Sequence, residues 1–162
     1  MEKLTYFKTE IDPALVTLAS QLASGDEFEK TWISSRLADP ELAAIVDQLS
    51  IINMHTLRAI AVHHLINGVA LAEKLGVTRG TISKSTKKLL QLALIQQEKH
   101  PDNQKEIHYR LTPAGTAINA QHQALDTYLN QQAQQVVSQF SETDLHNIAS
   151  FLAKMGQIRK RH

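Results

Sequence analysis

Two short amphipathic segments joined by a tight corner constrain this chain more than any other feature. The first segment is Val69–Leu75, the corner is Gly76-Val77-Thr78, and the second segment runs from about Arg79 to Leu92. Glycine permits the positive φ that a sharp turn after a helix requires, and a threonine side chain can cap the helix that follows. The pattern therefore predicts a helix-turn-helix, with Val77 filling the corner.

The second segment separates an inward face from a polar one. Ile82, Thr86 and Leu89 recur at helical spacing and are predicted to face the core. The outward residues are small or positively charged: Arg79, Gly80, Thr81, Ser83, Lys84, Lys87 and Lys88. Because the major groove of DNA admits one α-helix, such a face can meet base edges near its start and phosphates with its lysines. These residues and Thr78 form the predicted DNA-binding surface of the helix.

Charge is distributed unevenly along the chain, although the net charge is only +1. Residues 1–67 contain five basic and nine acidic side chains, a net charge of −4. Residues 68–110 contain eight basic and four acidic side chains, a net charge of +4. A basic middle segment is expected for a protein with a polyanionic partner, but solvated helix faces would give the same balance.

A β-hairpin is predicted directly after the second helix. Leu94–His100 and Glu106–Thr112 read as its strands, and Pro101-Asp102-Asn103-Gln104 has the composition of a turn. Ile107, Tyr109 and Leu111 should share one side. Cationic and amide side chains at the tip of such a hairpin can contact the phosphates of the DNA backbone or bind in the minor groove. The residues predicted to make these contacts are Lys99, His100, Asn103, Gln104 and Lys105.

Amphipathic helices are predicted before this unit. Two of them begin at Asp12-Pro13 and Asp39-Pro40, where aspartate can cap a helix and proline suits its first turn. Asn53 is predicted to cap the next helix, which Asn67-Gly68 would end.

Helices are also predicted after the hairpin. An apolar stripe runs from Pro113 to Phe140, and Ser141 with Asp144 resembles a capping box before a last helix. A helix of that length with an apolar stripe needs a surface to pack against, which favours dimerisation.

The predicted fold is mainly α with a small two-stranded β wing, a winged helix-turn-helix combined with a helical dimerisation region. Residues 1–52 would form N-terminal helices on the dimerisation and pocket side. Residues 53–112 would form the DNA-binding domain, and residues 113–162 the C-terminal dimerisation helices.

With these motifs the sequence resembles the MarR family of winged-helix regulators. The motifs are Leu71-Ala-Glu-Lys-Leu-Gly-Val-Thr, Thr81-Ile-Ser-Lys, Leu89-Leu-Gln-Leu-Ala-Leu-Ile95 and Leu111-Thr-Pro-Ala-Gly115. The wing and the Leu111–Gly115 motif that follows it are the more specific evidence for this family. A helix-turn-helix alone is found in many families. One departure is Asn103-Gln104-Lys105 where the family's wing usually has Asp-x-Arg, which removes an ion pair and a planar guanidinium.

The resemblance implies a homodimer in which the N-terminal helix and the last two helices intertwine with those of the partner. It also implies a repressor that binds double-stranded DNA at a pseudo-palindromic operator and responds to a small amphipathic or aromatic acid. The candidate ligand-pocket residues are Tyr6, Phe28, Trp32, His55 and Arg58. Core packing is the favoured alternative for Phe28 and Trp32, and a solvated charge or a salt bridge is the alternative for Arg58.

Other classes of function have weaker support. The chain has no cysteine, which excludes disulfides and thiolate chemistry. Eight histidines raise a metal hypothesis, but His63 and His64 are adjacent and His122 is alone on its helix, so packing or surface roles are favoured. We therefore predict no metal and no cofactor. Without a nucleophile elbow, P-loop or dinucleotide turn, we expect no enzymatic activity.

Two further expectations follow from the sequence. No apolar run approaches the length of a membrane helix and the first residues do not resemble a signal peptide, so a cytoplasmic protein with no membrane partner is expected. The alternative function is a helical dimerisation or protein-interaction module that has a winged-helix shape but does not read DNA.

Overall fold

The computed structural model describes residues 2–100 and 103–158, apart from the side chains of His100, Asn103, Gln104 and Lys105. The helices are α1 (Lys3–Tyr6), α2 (Asp12–Ala23), α3 (Gly25–Ser34), α4 (Pro40–Asp47), α5 (Ile51–His63), α6 (Gly68–Leu75), α7 (Arg79–Gln91), α8 (Pro113–Val137) and α9 (Glu142–Ile158). The strands are β1 (Ile66–Asn67), β2 (Ile95–His100) and β3 (Asn103–Leu111). The chain forms two compact units, Met1–Leu125 and Asp126–His162.

The N-terminal helix begins earlier than predicted. A π-helical turn, Phe7–Ile11, joins α1 directly to α2, and the backbone on both sides of Asp12 is helical. Asp12 therefore does not cap α2, and that prediction was wrong. Pro13 has no N–H and its ring crowds the carbonyl four residues earlier, and a wider turn at this position accommodates both properties.

Two further caps define α4 and α5. Asp39 caps α4 as predicted, accepting from the backbone N–H of Glu41 at 2.9 Å and of Leu42 at 3.4 Å. The cap of α5 is Ser50 rather than Asn53, since the Ser50 hydroxyl accepts from Asn53 N at 3.3 Å while Asn53 Oδ1 accepts from Ser50 N at 2.9 Å. This reciprocal pair is a capping box with asparagine at its third helical position.

The helix-turn-helix forms where the sequence predicts it. Gly76 has φ +63°, which allows the chain to leave α6 and turn into α7. Thr78 caps α7, since its hydroxyl accepts from Thr81 N at 3.1 Å. The prediction that Asn67-Gly68 ends the preceding helix was wrong, since α5 ends at His63 and Asn67 lies in β1. Asn67 instead caps α6, because its Oδ1 accepts from Ala70 N at 2.8 Å.

The wing hairpin is present, and it belongs to a three-stranded antiparallel sheet in the order β1-β3-β2. In register, Ile66 pairs with Tyr109, and Gln97 pairs with the same tyrosine from the other side. The two-residue β1 was not predicted from the sequence. Strand β1 pairs with the base of β3 beside α6, so β3 is hydrogen-bonded on one side to β1 and on the other to β2.

The core of the first unit lies around α5, α6 and α7. The largest fully buried apolar side chains come from the helices, from the α4–α5 connection and from the turn before β2: Ile33, Val46, Leu49, Leu57, Ile60, Leu71, Ile82, Leu89, Leu94 and Ile118. Fully burying one such side chain contributes about 1.5–3 kcal/mol. This shared core fixes how α7 is presented to solvent.

The second unit contains the end of α8 and all of α9. Eight of its large apolar side chains are exposed by 43–60%: Tyr128, Leu129, Val136, Val137, Phe140, Ile148, Leu152 and Ile158. In the part of the chain that the structure describes, no helix combines the length and the apolar character that a membrane crossing needs.

The predicted capping box before α9 is confirmed and lowers one pKa. Ser141 Oγ donates to Asp144 Oδ2 at 2.7 Å and Ser141 N donates to the same atom at 3.2 Å. These bonds, with the side-chain bond the stronger cause, hold the pKa of Asp144 below its ordinary value of 3.8.

The lowered pKa predicts how the cap responds to acid. Because the charged form is favoured in the folded state, its stabilising contribution is complete above pH 3.8 and is lost as pH falls through the lower, folded pKa. In a Ser141→Ala variant, an NMR titration of the Asp144 carboxyl should show its pKa rising towards the ordinary value. Ser138→Ala is the control, since that hydroxyl bonds Gln135 O, and an equal rise in both variants would contradict this explanation.

Candidate nucleic-acid interface

Helix α7 presents a small and basic face to solvent. Arg79, Gly80, Ser83, Lys84 and Lys87 are exposed, and Thr81 and Lys88 are partly exposed. The opposite face is fully inserted in the core through Ile82, Ser85, Thr86 and Leu89. The division between inward and outward residues therefore agrees with the helical periodicity, and Ser85 is an inward residue that the periodicity did not identify.

The capping of α7 suits an anionic partner. Thr78 is exposed and uses its hydroxyl to hold Thr81 N, so the first turn of α7 is ordered. The free N–H groups and the positive end of the helix dipole favour negative charge at this end. A Cβ placed on Gly80 would meet only Thr78 Oγ1 at 3.8 Å, so glycine at this position is not required by packing within the protein.

A cavity of about 380 Å³ lies beside the same face. Helix α7 contributes Arg79 and Ser83 to its lining, and β3 contributes Glu106 and Tyr109. Asn67 Nδ2 donates a hydrogen bond to Glu106 Oε1, which joins the start of α6 to the wing. Helix α7 and the base of the wing thus form one continuous surface.

The wing contributes an exposed lysine and a surface ion pair. Lys99 is exposed on β2, and Arg110 Nε lies 3.2 Å from Glu98 Oε1 across the hairpin. The predicted contacts from the side chains of His100, Asn103, Gln104 and Lys105 lie outside the described part of the structure. So do Pro101 and Asp102, the first half of the predicted turn.

The predicted ligand-pocket residues occupy different environments. Tyr6 and Phe28 are half-exposed, and His55 is exposed. Trp32 packs against the core, with the guanidinium of Arg36 3.6 Å from the centre of its ring. A second cavity of about 320 Å³, lined by residues of α5, β3 and α8, contains none of the five predicted residues, and neither does the cavity beside α7. The ligand pocket stays a prediction.

His122 is buried on α8 rather than exposed. Its Nε2 lies 2.6 Å from Glu29 Oε1, and both side chains are largely buried. The ring of His55 lies 6.4 Å from that of His122, measured between centroids. A buried carboxylate requires such a partner, so this pair has a packing role between α3 and α8. Among the described residues, no three histidine, aspartate or glutamate side chains are arranged to hold a metal ion.

The sequence and the fold were compared with those of known proteins. Residues 49–107 match the model of the MarR family. Two relatives from Bacillus subtilis (strain 168) are named uncharacterized HTH-type transcriptional regulators. YhjH is 34% identical over 54% of this chain and 48% of its own length, and YvnA is 32% identical over 60% of this chain and 62% of its own length. The chain thus spans only about half to three fifths of these relatives.

Solved structures share the fold. The adhesin competence repressor AdcR from Streptococcus pyogenes superposes with a TM-score of 0.64 at 15% identity, covering 91% of this chain and 96% of that one. Lactococcus lactis ZitR in complex with DNA superposes with a TM-score of 0.58 at 19% identity, covering 67% of this chain and 74% of that one. The family match covers α5, the helix-turn-helix and the wing as far as Ile107, so this segment of the chain, a winged helix-turn-helix, is similar to the MarR family.

Proposed function

We propose that this chain is a cytoplasmic transcription regulator that binds double-stranded DNA in a sequence-specific manner. The observation that carries the proposal is the exposed, basic and small-residue face of α7, on a helix whose other face is buried in a winged helix-turn-helix. The names of the relatives YhjH and YvnA support a regulatory, non-enzymatic role.

In this proposal α7 enters the major groove with its first turns. Arg79 contacts a guanine edge, and Thr81 and Ser83 lie near neighbouring base edges, where their small size permits close approach. Lys84, Lys87 and Lys88 contact phosphates. The wing reaches the adjacent backbone or minor groove through Lys99, His100, Asn103, Gln104 and Lys105. The ZitR structure that was determined with DNA supports this use of the fold.

We further propose that the protein acts as a homodimer on a pseudo-palindromic operator. The exposed apolar side chains of the second unit support this, since a stripe of that size requires a covering surface. In α1 and α2, Leu4, Val16 and Leu22 are also largely exposed. Two-fold symmetry then places the operator half-sites about one helical turn apart. Light scattering of the purified chain should give twice the mass of 18.1 kDa.

The regulatory part of the proposal is repression that a small amphipathic or aromatic acid relieves. Tyr6, Phe28, Trp32, His55 and Arg58 remain the proposed pocket residues, with Arg58 binding the carboxylate. A ligand wedged beside the winged helices would change the spacing of the two recognition helices, which would then miss successive major grooves.

The decisive experiment measures binding to a fluorescent duplex from the region upstream of the gene, and to a scrambled duplex, at two salt concentrations. Tight binding that prefers the native duplex and weakens with salt supports the proposal. No binding to either duplex at low salt would contradict it, and would favour the alternative of a protein-interaction module with a winged-helix shape.

A further inference from the structure

Three buried polar side chains join α5 to α7. Ser85 is 2% exposed, Thr56 is 0% exposed and Asn53 is 6% exposed. Asn53 Nδ2 donates to Ser85 Oγ at 2.9 Å, and Ser85 Oγ donates to Thr56 Oγ1 at 3.0 Å. Thr56 Oγ1 in turn donates to Ile52 O at 2.6 Å. Each hydroxyl therefore both accepts and donates, and the series ends on a backbone carbonyl.

The capping box of α5 fixes the first member of this series. Asn53 Oδ1 accepts from Ser50 N and from Ser50 Oγ, each at 2.9 Å. With its oxygen held by Ser50, the amide of Asn53 has its nitrogen directed at Ser85. The orientation of the donor is thus set by the backbone N–H and the hydroxyl of Ser50 at the start of α5.

A hydrogen-bonded serine restricts α7 more sharply than apolar packing does. Dispersion contacts around Ile82 and Leu89 change gradually when a helix rotates, whereas a hydrogen bond weakens steeply with angle. At a side-chain radius of about 5 Å, a rotation of about 20° moves a side-chain tip by about 2 Å. A displacement of that size takes Arg79 or Ser83 out of hydrogen-bonding reach of a given base.

We propose that Asn53, Thr56 and Ser85 form a positioning network that sets the rotation of α7 and thereby the base discrimination of the protein. None of the three side chains touches DNA in this proposal, because all three are buried beneath the helix. The network holds the exposed face in the one orientation that matches base edges. The inference rests on the proposed function, since it assumes that α7 reads DNA.

Thr86 offers a matched control on the next residue of the same helix. It is also buried, but its hydroxyl donates to Ile82 O at 2.9 Å and to Ser83 O at 3.3 Å, within α7 itself. Thr86→Val therefore removes a buried hydroxyl without breaking the connection to α5. Ser85→Ala removes the connection and leaves the Asn53 amide without its acceptor.

The test measures dissociation constants for the native and the scrambled duplex with wild-type protein and both variants, at one ionic strength and at a temperature where all three are folded. Ser85→Ala should reduce the preference for the native duplex by about tenfold, as expected when one good base contact is lost. Its affinity for the scrambled duplex and the salt slope should be unchanged, since the lysines remain. Thr86→Val should keep the preference of the wild type.

Three outcomes would overturn the inference, and they are distinguishable. If the wild type shows no preference for the native duplex, the proposed function fails and the network proposal with it. If the wild type shows a preference that Ser85→Ala retains, or that both variants lose equally, only the network proposal fails. If Ser85→Ala folds poorly, the isosteric Thr56→Val replaces it, because this variant also breaks the Ser85–Thr56 hydrogen bond. Thr56→Val should then lose preference for the native duplex as described for Ser85→Ala, and a retained preference would contradict the network proposal. An NMR comparison without DNA should show amide shifts of Arg79 and Gly80, more than one turn away from both substitutions, moving in Ser85→Ala and not in Thr86→Val.

Discussion

Replacing Gly115 with alanine is expected to destabilise the first unit by about 3 kcal/mol or more, at the upper end of what overpacking costs. A Cβ at this position would lie 2.0 Å from the backbone oxygen of Leu94 and 3.0 Å from its carbonyl carbon. That oxygen accepts the N–H of Thr112 at 3.0 Å, so neither group can move without breaking the junction between α7, β2 and α8. Urea unfolding followed by circular dichroism measures the loss.

Gly156→Ala is the matched control for this substitution. Gly156 lies in α9, where an added Cβ would meet none of the described atoms beyond its own helix backbone within 4 Å. Alanine in an open helical position is expected to stabilise by up to about 1 kcal/mol. If Gly115→Ala and Gly156→Ala changed the free energy of unfolding by similar amounts, close approach to Leu94 would not be the reason for glycine at position 115.

Reversing two charges on α7 is expected to abolish most of the proposed DNA affinity. In a Lys84→Glu/Lys88→Glu variant, two cations on the outward side of the helix become anions, and two phosphate contacts become repulsive. The slope of log K against log salt concentration should become shallower by about 2 and the affinity should fall at least 100-fold at low salt. Fluorescence anisotropy at four salt concentrations would measure both quantities.

A Lys3→Glu/Lys8→Glu variant controls for the change in net charge. Both lysines are exposed on the N-terminal helical segment, and the overall charge changes by the same amount. We expect this variant to keep the affinity within a few-fold of the wild type. Equal loss in both variants would show that only overall charge matters, whereas no loss in the α7 variant would remove α7 from the DNA interface.

The helix-turn-helix was predictable because its signals are local. Gly76 is needed where the backbone adopts a positive φ, and Thr78 caps the helix that begins one residue later. The inward positions of Ile82 and Leu89 follow from a period of 3.6 residues, which a sequence displays directly. The same holds for the Ser141–Asp144 capping box, whose two partners are three residues apart.

Other features were missed because a partner is distant in the sequence or, at the start of α5, because the capping box has asparagine where glutamate or glutamine is usual. Strand β1 contains only two residues and exists because Ile66 pairs with Tyr109. Nothing local marks it as a strand. Asn53 resembles an N-cap in isolation, but Ser50 three residues earlier takes that position and leaves the Asn53 amide for Ser85, 32 residues away.

The amino-acid sequence by itself determined the order of the helices, the position of the turn, the basic outward face of α7 and the hairpin that follows. These depend on the spacing and the intrinsic conformational preferences of neighbouring residues. Only the tertiary structure decided that Ser85 is held by Asn53 and Thr56, that His122 lies against Glu29, and that Gly115 touches Leu94. Such contacts form only when the folded core brings together two segments that are remote in the sequence. The conformational preferences of neighbouring residues do not specify which remote segments meet.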